Sequence, residues 1–548
     1  MIEKAAAMES FDYIVVGAGS AGCVVASRLT EHAGTRVLLL EAGGGDHSPI
    51  IKMPAATDLY GIGNPRYDWR YLTEPDPTRY DRRDLWPRGK LLGGSSSINA
   101  MVYMRGQPSD YDSWADAGNQ GWSYRDLLPY FRKSERSEDG EDEFRGGDGP
   151  LRVSNLRTQH PLAELFIAAS EHIGIPRNSD FAGRRLEGVG PVQATQWRGW
   201  RHSAADAYLK PARRRSNLSI RKRAHVTRIV LEGRRATGVT YETAGKSVHQ
   251  VKALREVILC AGAIASPQLM LLSGIGPGRH LQALGINCSH DLPGVGQNLQ
   301  DHVGAYMNYR VDQPTYNSEK ALWRKALHGA NWLRFGRGPG TTPGALAMAF
   351  VRSEPGIADP DLQLHFTPVG YKLTPEELIV LDDPVVTAIP NVNRPLSRGH
   401  LELASTNPHD HPKIYPRLLD REEDVAVLRR GCEIIREIFA APPLARHVLG
   451  ELAPGPEVQS AADWEQYLRR DSITIYHPSG TCRMGVDAKA VVDPSLRVRG
   501  ISGLRVVDAS IMPHLVSGNI NAPTIMIGER GADLIRSEGN GDGLRSQP

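Results

Sequence analysis

A chain of 548 residues is too long for one ordinary core and points to two or more domains, or to one large domain with insertions. Its 40% apolar and 23% charged residues describe a soluble globular protein and exclude a disordered one. A net charge of +3 is nearly neutral at this length and gives no reason to expect a polyanionic partner.

The densest basic run, Arg213, Arg214, Arg215, Arg221, Lys222 and Arg223, has neither aromatic nor groove-reading neighbours, so it reads as a solvated loop entering a strand and not as a nucleic-acid face. Five cysteines, with no CxxC pair, fit buried, reduced thiols in a cytoplasmic protein and argue against disulfides or a metal site. The first ten residues hold no apolar stretch of signal-peptide length, and no apolar run reaches spanning length. Peripheral attachment to a membrane stays open, because it needs no spanning segment.

In chain order, residues 11–16 read as a buried strand, 20–29 as a helix and 36–40 as a second strand: a βαβ opening. Residues 134–149, acidic and glycine-rich, read as a surface excursion. Strands are expected at 221–230, 239–241, 256–259 and 362–367. Residues 420–440 form an amphipathic helix, with Val425, Leu428, Cys432, Ile435 and Phe439 on one face and Asp420 as a cap; its expected task is to cover a sheet. Nucleotide-binding features recur at the front, middle and end, so two interleaved domains are expected.

Gly17-Ala18-Gly19-Ser20-Ala21-Gly22 is a GxGxxG between the first strand and its helix. The first glycine permits the turn, the second lets backbone approach a pyrophosphate, and the third lets helix pack on strand. The helix N-terminus faces the phosphates. Glu41, 24 residues after Gly17, stands where a carboxylate accepts from ribose hydroxyls. Together these predict a bound dinucleotide without separating NAD from FAD.

Residues 88–100 (Arg-Gly-Lys-Leu-Leu-Gly-Gly-Ser-Ser-Ser-Ile-Asn-Ala) offer accessible N–H and hydroxyl groups suited to a pyrophosphate or ring edge. Residues 89–112 resemble the first signature of the glucose–methanol–choline (GMC) oxidoreductases, and residues 262–276 resemble their second. Further similar stretches are Pro293-Gly294-Val295-Gly296 through Asp301-His302, His477 through Met484, Leu504 through Ser510 and Ser517 through Thr524, in family order from about residue 12 to 535. Within the family, the chain looks nearest to choline-dehydrogenase-like and bacterial alcohol dehydrogenases.

The resemblance implies an α/β chain, α+β overall. A Rossmann-like FAD domain (8–155, 215–300 and 470–536) would interleave with a substrate domain (156–214 and 301–469) built on an antiparallel sheet covered by helices, with a flexible tail at 537–548. It places Gly17, Gly19, Ser20, Ala21 and Glu41 on the ADP half of FAD and Val226 against the adenine. Gly94, Asn99 and Val102 fall near the pyrophosphate and flavin, and Asp508 and Ala509 near the ribityl chain. Some members carry a flavin-linking histidine where this chain has Ile98, so non-covalent FAD is expected.

Alcohol oxidation removes a hydroxyl proton and a hydride from one carbon, which calls for a base and a donor to the developing alkoxide. His477 matches the family's active-site histidine, and its ordinary pKa near 6.5 suits a base. Asn519 matches the second position, where an amide donates without competing for the proton. His302 is assigned a structural role. Strand alternation aims Gln363, His365 and Thr367 at one face, which makes His365 a substrate-contact candidate beside Tyr476. Ser95, Ser96 and Ser97 lack a nucleophile elbow and read as flavin-loop residues.

The expected reaction is oxidation of a primary alcohol to the aldehyde by hydride transfer to FAD. The substrate is expected to be uncharged, because residues 335–351 contain no acid to hold a quaternary ammonium. A quinone-like acceptor is favoured. An oxygen-using oxidase, a choline dehydrogenase and a non-redox lyase on the same fold are the alternatives.

Overall fold

The computed structural model describes residues 8–319, 321–374 and 378–541. The expected first strand is Ser10–Val16, the helix Ser20–Leu29 and the second strand Val37–Glu41. They belong to a seven-stranded sheet. In it Ser10–Val16 lies parallel between Val37–Glu41 and Val248–Leu259. Leu218–Lys222 extends the sheet beyond Val37–Glu41. The antiparallel strands Arg235–Thr243 and Ala224–Glu232 extend it on the other side, and Leu504–Val506 joins Val248–Leu259 in parallel. Val37–Glu41 is buried along its whole length, as a strand covered on both faces must be, which explains its unbroken Val-Leu-Leu-Leu run.

The second sheet is antiparallel and has eight strands. Its path runs Val448–Ala453, Met307–Val311, Val385–Val392, Leu362–Thr367, Ala347–Val351, Gly188–Pro191. The helix Glu422–Ala440 lies across it with Val425, Leu428, Cys432, Ile435 and Phe439 all buried, as the spacing required. Gly431 makes the close approach achievable: a Cβ there would stand 2.9 Å from both Leu362 and Pro390. Phe439 stacks on Tyr309 at 3.8 Å between ring centroids, and emptying such a site by truncation costs about 3–5 kcal/mol.

Four details differ from the sequence expectation. Asp420 does not cap the long helix; Arg421 occupies that position. The carboxylate that matters is Asp424, which accepts from the N–H groups of Leu396 and Ser397 and from the Ser397 hydroxyl. Residues 134–149 are not wholly a surface excursion, because Glu135 is buried in ion pairs with Arg105 and Arg145. The final helix, Asn521–Gly541, covers the first part of the expected tail; residues 542–548 lie outside the described residues. Two contacts also cross the expected domain bounds: Ile473–Thr474 pairs with Val303–Gly304 of the antiparallel sheet, and residues 205–209 pack on the Ser20–Leu29 helix. Charge and hydropathy along the chain do not reveal such long-range pairings.

The five cysteines are free thiols. No described helix is long and apolar enough to cross a membrane.

Candidate active site

A cavity of about 1060 Å³ lies where the two sheets meet, at the upper end of the range for ligand pockets. Gly17, Gly19, Ser20, Ala21, Glu41, Gly94, Asn99, Val102, Val226, Asp508 and Ala509 all line it, and so do His365, Tyr476, His477 and Asn519.

One end is built from backbone. Gly17 turns with φ +96, and a Cβ on it would meet the Cys260 carbonyl oxygen at 2.6 Å. A Cβ on Gly22 would stand 1.9 Å from the Gly17 carbonyl oxygen. Gly19 differs: its Cβ direction meets only the Cys260 oxygen, at 3.8 Å. The Ser20–Leu29 helix starts from Gly19 with no side-chain cap, so its first N–H groups face the cavity unsatisfied by the chain. The Gly93–Gly94 loop is docked on this turn, because Gly93 N–H donates to the Ala18 carbonyl at 2.7 Å and Gly94 packs on Gly19. A narrow backbone cradle lined by free amides fits the diphosphate of a dinucleotide.

Glu41 accepts from the N–H of Ala18 (2.9 Å) and of Gly43 (2.7 Å), one per carboxylate oxygen, which leaves each oxygen a second lone pair for a ribose hydroxyl. Burial pushes its pKa up to about 7. Asp508 is more fully committed. One oxygen accepts from Gly262 N–H and the Ser266 hydroxyl, the other from the N–H and hydroxyl of Ser510. Its carboxylate therefore shapes the wall. Among the three serines, the Ser96 and Ser97 hydroxyls donate to the Gly93 and Leu92 carbonyls, which folds the loop into a single tight turn.

The other end is built from side chains. His302 Nε2 lies 2.9 Å from the carbonyl oxygen of Asn393, which can only accept, so Nε2 carries the His302 proton. Burial holds the His302 pKa down at about 3, so the ring is neutral and its Nδ1 is bare. That bare Nδ1 lies 2.8 Å from Nδ1 of His477, which must therefore be the protonated nitrogen of His477. His477 Nε2 is left as a lone pair beside Asn519 Nδ2 at 3.2 Å, and Asn519 Oδ1 accepts from Gln363 Nε2 at 3.3 Å. Burial, then His302, Arg88 and His365, hold the His477 pKa well below its ordinary value. It is thus not the near-6.5 group expected from the residue type, and it stays unprotonated throughout the neutral range.

The backbone of His477 is equally fixed. Its N–H donates to Asp301 at 2.6 Å, and the second Asp301 oxygen accepts from the Thr474 hydroxyl. Burial raises Asp301 to about 7. Tyr476 takes the left-handed φ of +65, a strain of roughly 1–2 kcal/mol, and Arg88 holds its carbonyl at 2.6 Å. That turn aims the His477 ring into the cavity.

His365 lines the cavity with Nε2 donating to Asn391 Oδ1 at 2.8 Å, and burial lowers its pKa to about 4. Around it stands an apolar wall of Tyr306, Ile389, Ile473, Tyr371 and Ile475. Sequence reasoning missed His302 as a partner of His477, together with Asp301 and most of this wall; it placed Gln363 on the His365 face but not its link to Asn519. The first two sit side by side in a family-like stretch, the one signal that could have marked them.

Two family models match the chain, both described as GMC oxidoreductase, over residues 11–304 and 395–528. The human mitochondrial choline dehydrogenase is 46% identical over 543 residues, covering 97% of this chain and 90% of that protein. The oxygen-dependent choline dehydrogenase of Vibrio vulnificus is 44% identical, covering 96% and 94%. Among solved structures, pyridoxine 4-oxidase from Mesorbium loti superposes with a TM-score of 0.87 at 35% identity, covering 96% of this chain and 99% of that one. The chain belongs to the GMC oxidoreductase family and is an FAD-dependent oxidoreductase of CH–OH donors.

Proposed function

We propose that this protein oxidises an uncharged primary alcohol, aliphatic or aromatic, to the aldehyde, with His477 as base and Asn519 as donor to the substrate oxygen. FAD bound in the cavity supplies the hydride acceptor. The residues proposed to hold it are Gly17, Gly19, Ser20, Ala21, Glu41 and Val226 at the ADP half. Gly94, Asn99, Val102, Asp508 and Ala509 would hold the remainder. The buried isoleucine at position 98 cannot form a covalent link, so acid precipitation should release all the flavin.

One observation carries the reading: the bare Nε2 of a neutral His477 faces the cavity with an amide donor beside it. His477 takes the hydroxyl proton on Nε2, and its Nδ1–H, pointing at His302, is stabilised as the ring becomes cationic. Asn519 Nδ2 has two N–H bonds, one directed at Nε2 and one available to the substrate oxygen. His365 and Tyr476 line the substrate space. The test is anaerobic mixing with an alcohol panel: loss of the oxidised flavin absorbance in the parent but not in His477→Ala supports the assignment, and no loss with any alcohol favours a lyase.

The four cavity-lining carboxylates among the described residues support an uncharged substrate. Glu41 and Asp508 hold amides, Asp410 holds Ser405 and Asn407, and Glu319 pairs with Arg324 and His328. The names of the relatives, together with the Tyr306–Tyr371 ring pair, favour a second reading in which the substrate is choline. Choline reducing the flavin at lower concentration than neutral alcohols would select it. For the acceptor we favour a quinone-like molecule, reached by a cytoplasmic protein at the membrane surface. Near-stoichiometric hydrogen peroxide would instead make the protein an oxidase.

A further inference from the structure

The helix Leu322–Phe335 is amphipathic and faces the wrong way for a water-soluble surface. Among its described side chains Trp332 alone is buried, packed against Trp200 at 4.0 Å between ring centroids and donating from Nε1 to the Gly199 carbonyl at 2.9 Å. At 100° per residue, Trp323, Leu327 and Ala330 point almost directly away from Trp332, with Leu333 beside them. Trp323, Leu327, Leu333 and Phe335 are each between 50% and 66% exposed.

A neighbouring helix, Pro54–Tyr60, adds Leu59 and Tyr60, both more than half exposed. Both helices pack on the Pro339–Thr341 turn, where Gly340 sits between Met53 and Trp332. Six of the large exposed apolar side chains therefore gather on two adjoining helices, where isolated exposed ones would need no explanation.

Charge is ordered on the same patch. The Leu322–Phe335 helix carries Arg324, Lys325 and Arg334 and no acid, and Arg337 follows it; all four are exposed. Arg324 is balanced by Glu319. Aromatic and leucine side chains outward, with arginine and lysine around them, is the pattern of a helix lying in the plane of a lipid interface. The basic flank complements anionic headgroups. Position adds a second reason. Leu59, Tyr60, Lys325, His328, Gly329 and Pro339 line the large cavity, and Leu59, Tyr60 and Lys325 are exposed, so the cavity reaches the surface beside these two helices.

We propose that this face docks on an anionic bilayer surface, with the cavity mouth held against the lipid so that apolar alcohols or a lipid-dissolved acceptor enter without crossing water. What enters rests on the oxidation reading above; the docking does not, because it is read from vesicle binding and not from turnover.

The test is vesicle flotation of the flavin-loaded enzyme at low salt, with phosphatidylglycerol–phosphatidylcholine vesicles against phosphatidylcholine alone. We expect at least tenfold more protein to float with the anionic vesicles. Trp323→Glu/Leu327→Glu/Leu333→Glu should lose at least tenfold of that binding while keeping its flavin, its melting temperature and its turnover of a short water-soluble alcohol. Arg334→Ala/Arg337→Ala should lose binding to anionic vesicles only. Floating with neither vesicle, or equal floating of parent and triple variant, overturns the proposal. So does a parent that elutes as a dimer which the triple variant splits, since the face would then belong to a second copy of the chain.

Discussion

The two ends of the cavity are made differently. The dinucleotide end is backbone: glycines that exclude side chains, a helix start left without a cap, and loops tied carbonyl to amide. The end proposed for the reaction is a side-chain network, His302 to His477 to Asn519 to Gln363, drawn from four separate segments of the chain. A backbone cradle fails by steric exclusion, in an all-or-none way. A side-chain network fails by degrees, because each member changes the proton position or orientation of the next.

That contrast can be broken most severely at the cradle. Gly22→Ala puts a Cβ 1.9 Å from the Gly17 carbonyl oxygen, backbone against backbone, and should yield protein without flavin. Gly19→Ala has room to fold and should keep the parent melting curve while losing flavin affinity. Full flavin occupancy in Gly22→Ala would mean the helix does not need to sit so close to the strand.

At the other end His477→Ala should retain flavin and slow its reduction by about 10³–10⁴-fold in stopped-flow. Asn519→Ala should slow it less, by about 10²–10³-fold, since His477 remains. If both reduce at the parent rate, the catalytic assignment is wrong. His302→Leu should cost about tenfold through loss of the acceptor on Nδ1 of His477, with His302→Gln partly restoring the rate. A structural role alone would leave the pH profile of reduction unchanged between these two variants.

The smallest effect is on stability against pH. His302 and His365 are held at about 3 and about 4, so the unfolded chain binds protons that the folded chain refuses below about pH 6.5. Their stability contribution is complete above that pH and is lost on acidification. Asp301 and Glu41, raised to about 7, act in the opposite sense, binding protons in the folded state between about pH 4 and 7. His202 and His225, also lowered to about 4, side with the imidazoles. Urea midpoints should therefore fall between pH 6.5 and 4, and a flat or rising midpoint would show that the carboxylates prevail.

Legibility followed the same division. The cradle was readable because its chemistry is local: GxGxxG, Glu41 and the Gly-Gly-Ser loop each declare themselves within a few residues, and the strand and helix they join came out within one position. His477 and Asn519 were readable only through their motifs. Their partners were not, because the tautomer of His477 depends on a carbonyl at Asn393 and a ring at His302, and nothing in either neighbourhood states that they meet. Asp420 misled because a capping residue type preceded the helix while the carboxylate that binds, Asp424, sits inside it and reaches residues 396 and 397. Residues 134–149 misled because acidic composition ordinarily means water, yet Glu135 finds two arginines in the interior.

The GxGxxG turn at residues 17–22 is synthesised long before the segments that close it. Its neighbour strand spans Val248–Leu259, the further parallel strand is Leu504–Val506, and the helix packed on Ser20–Leu29 begins at Asn521. During synthesis the glycine-rich turn therefore waits for partners that lie about 230 to 500 residues further along the chain. The cradle is thus completed by pairings of long sequence separation, which close only after local structure has formed.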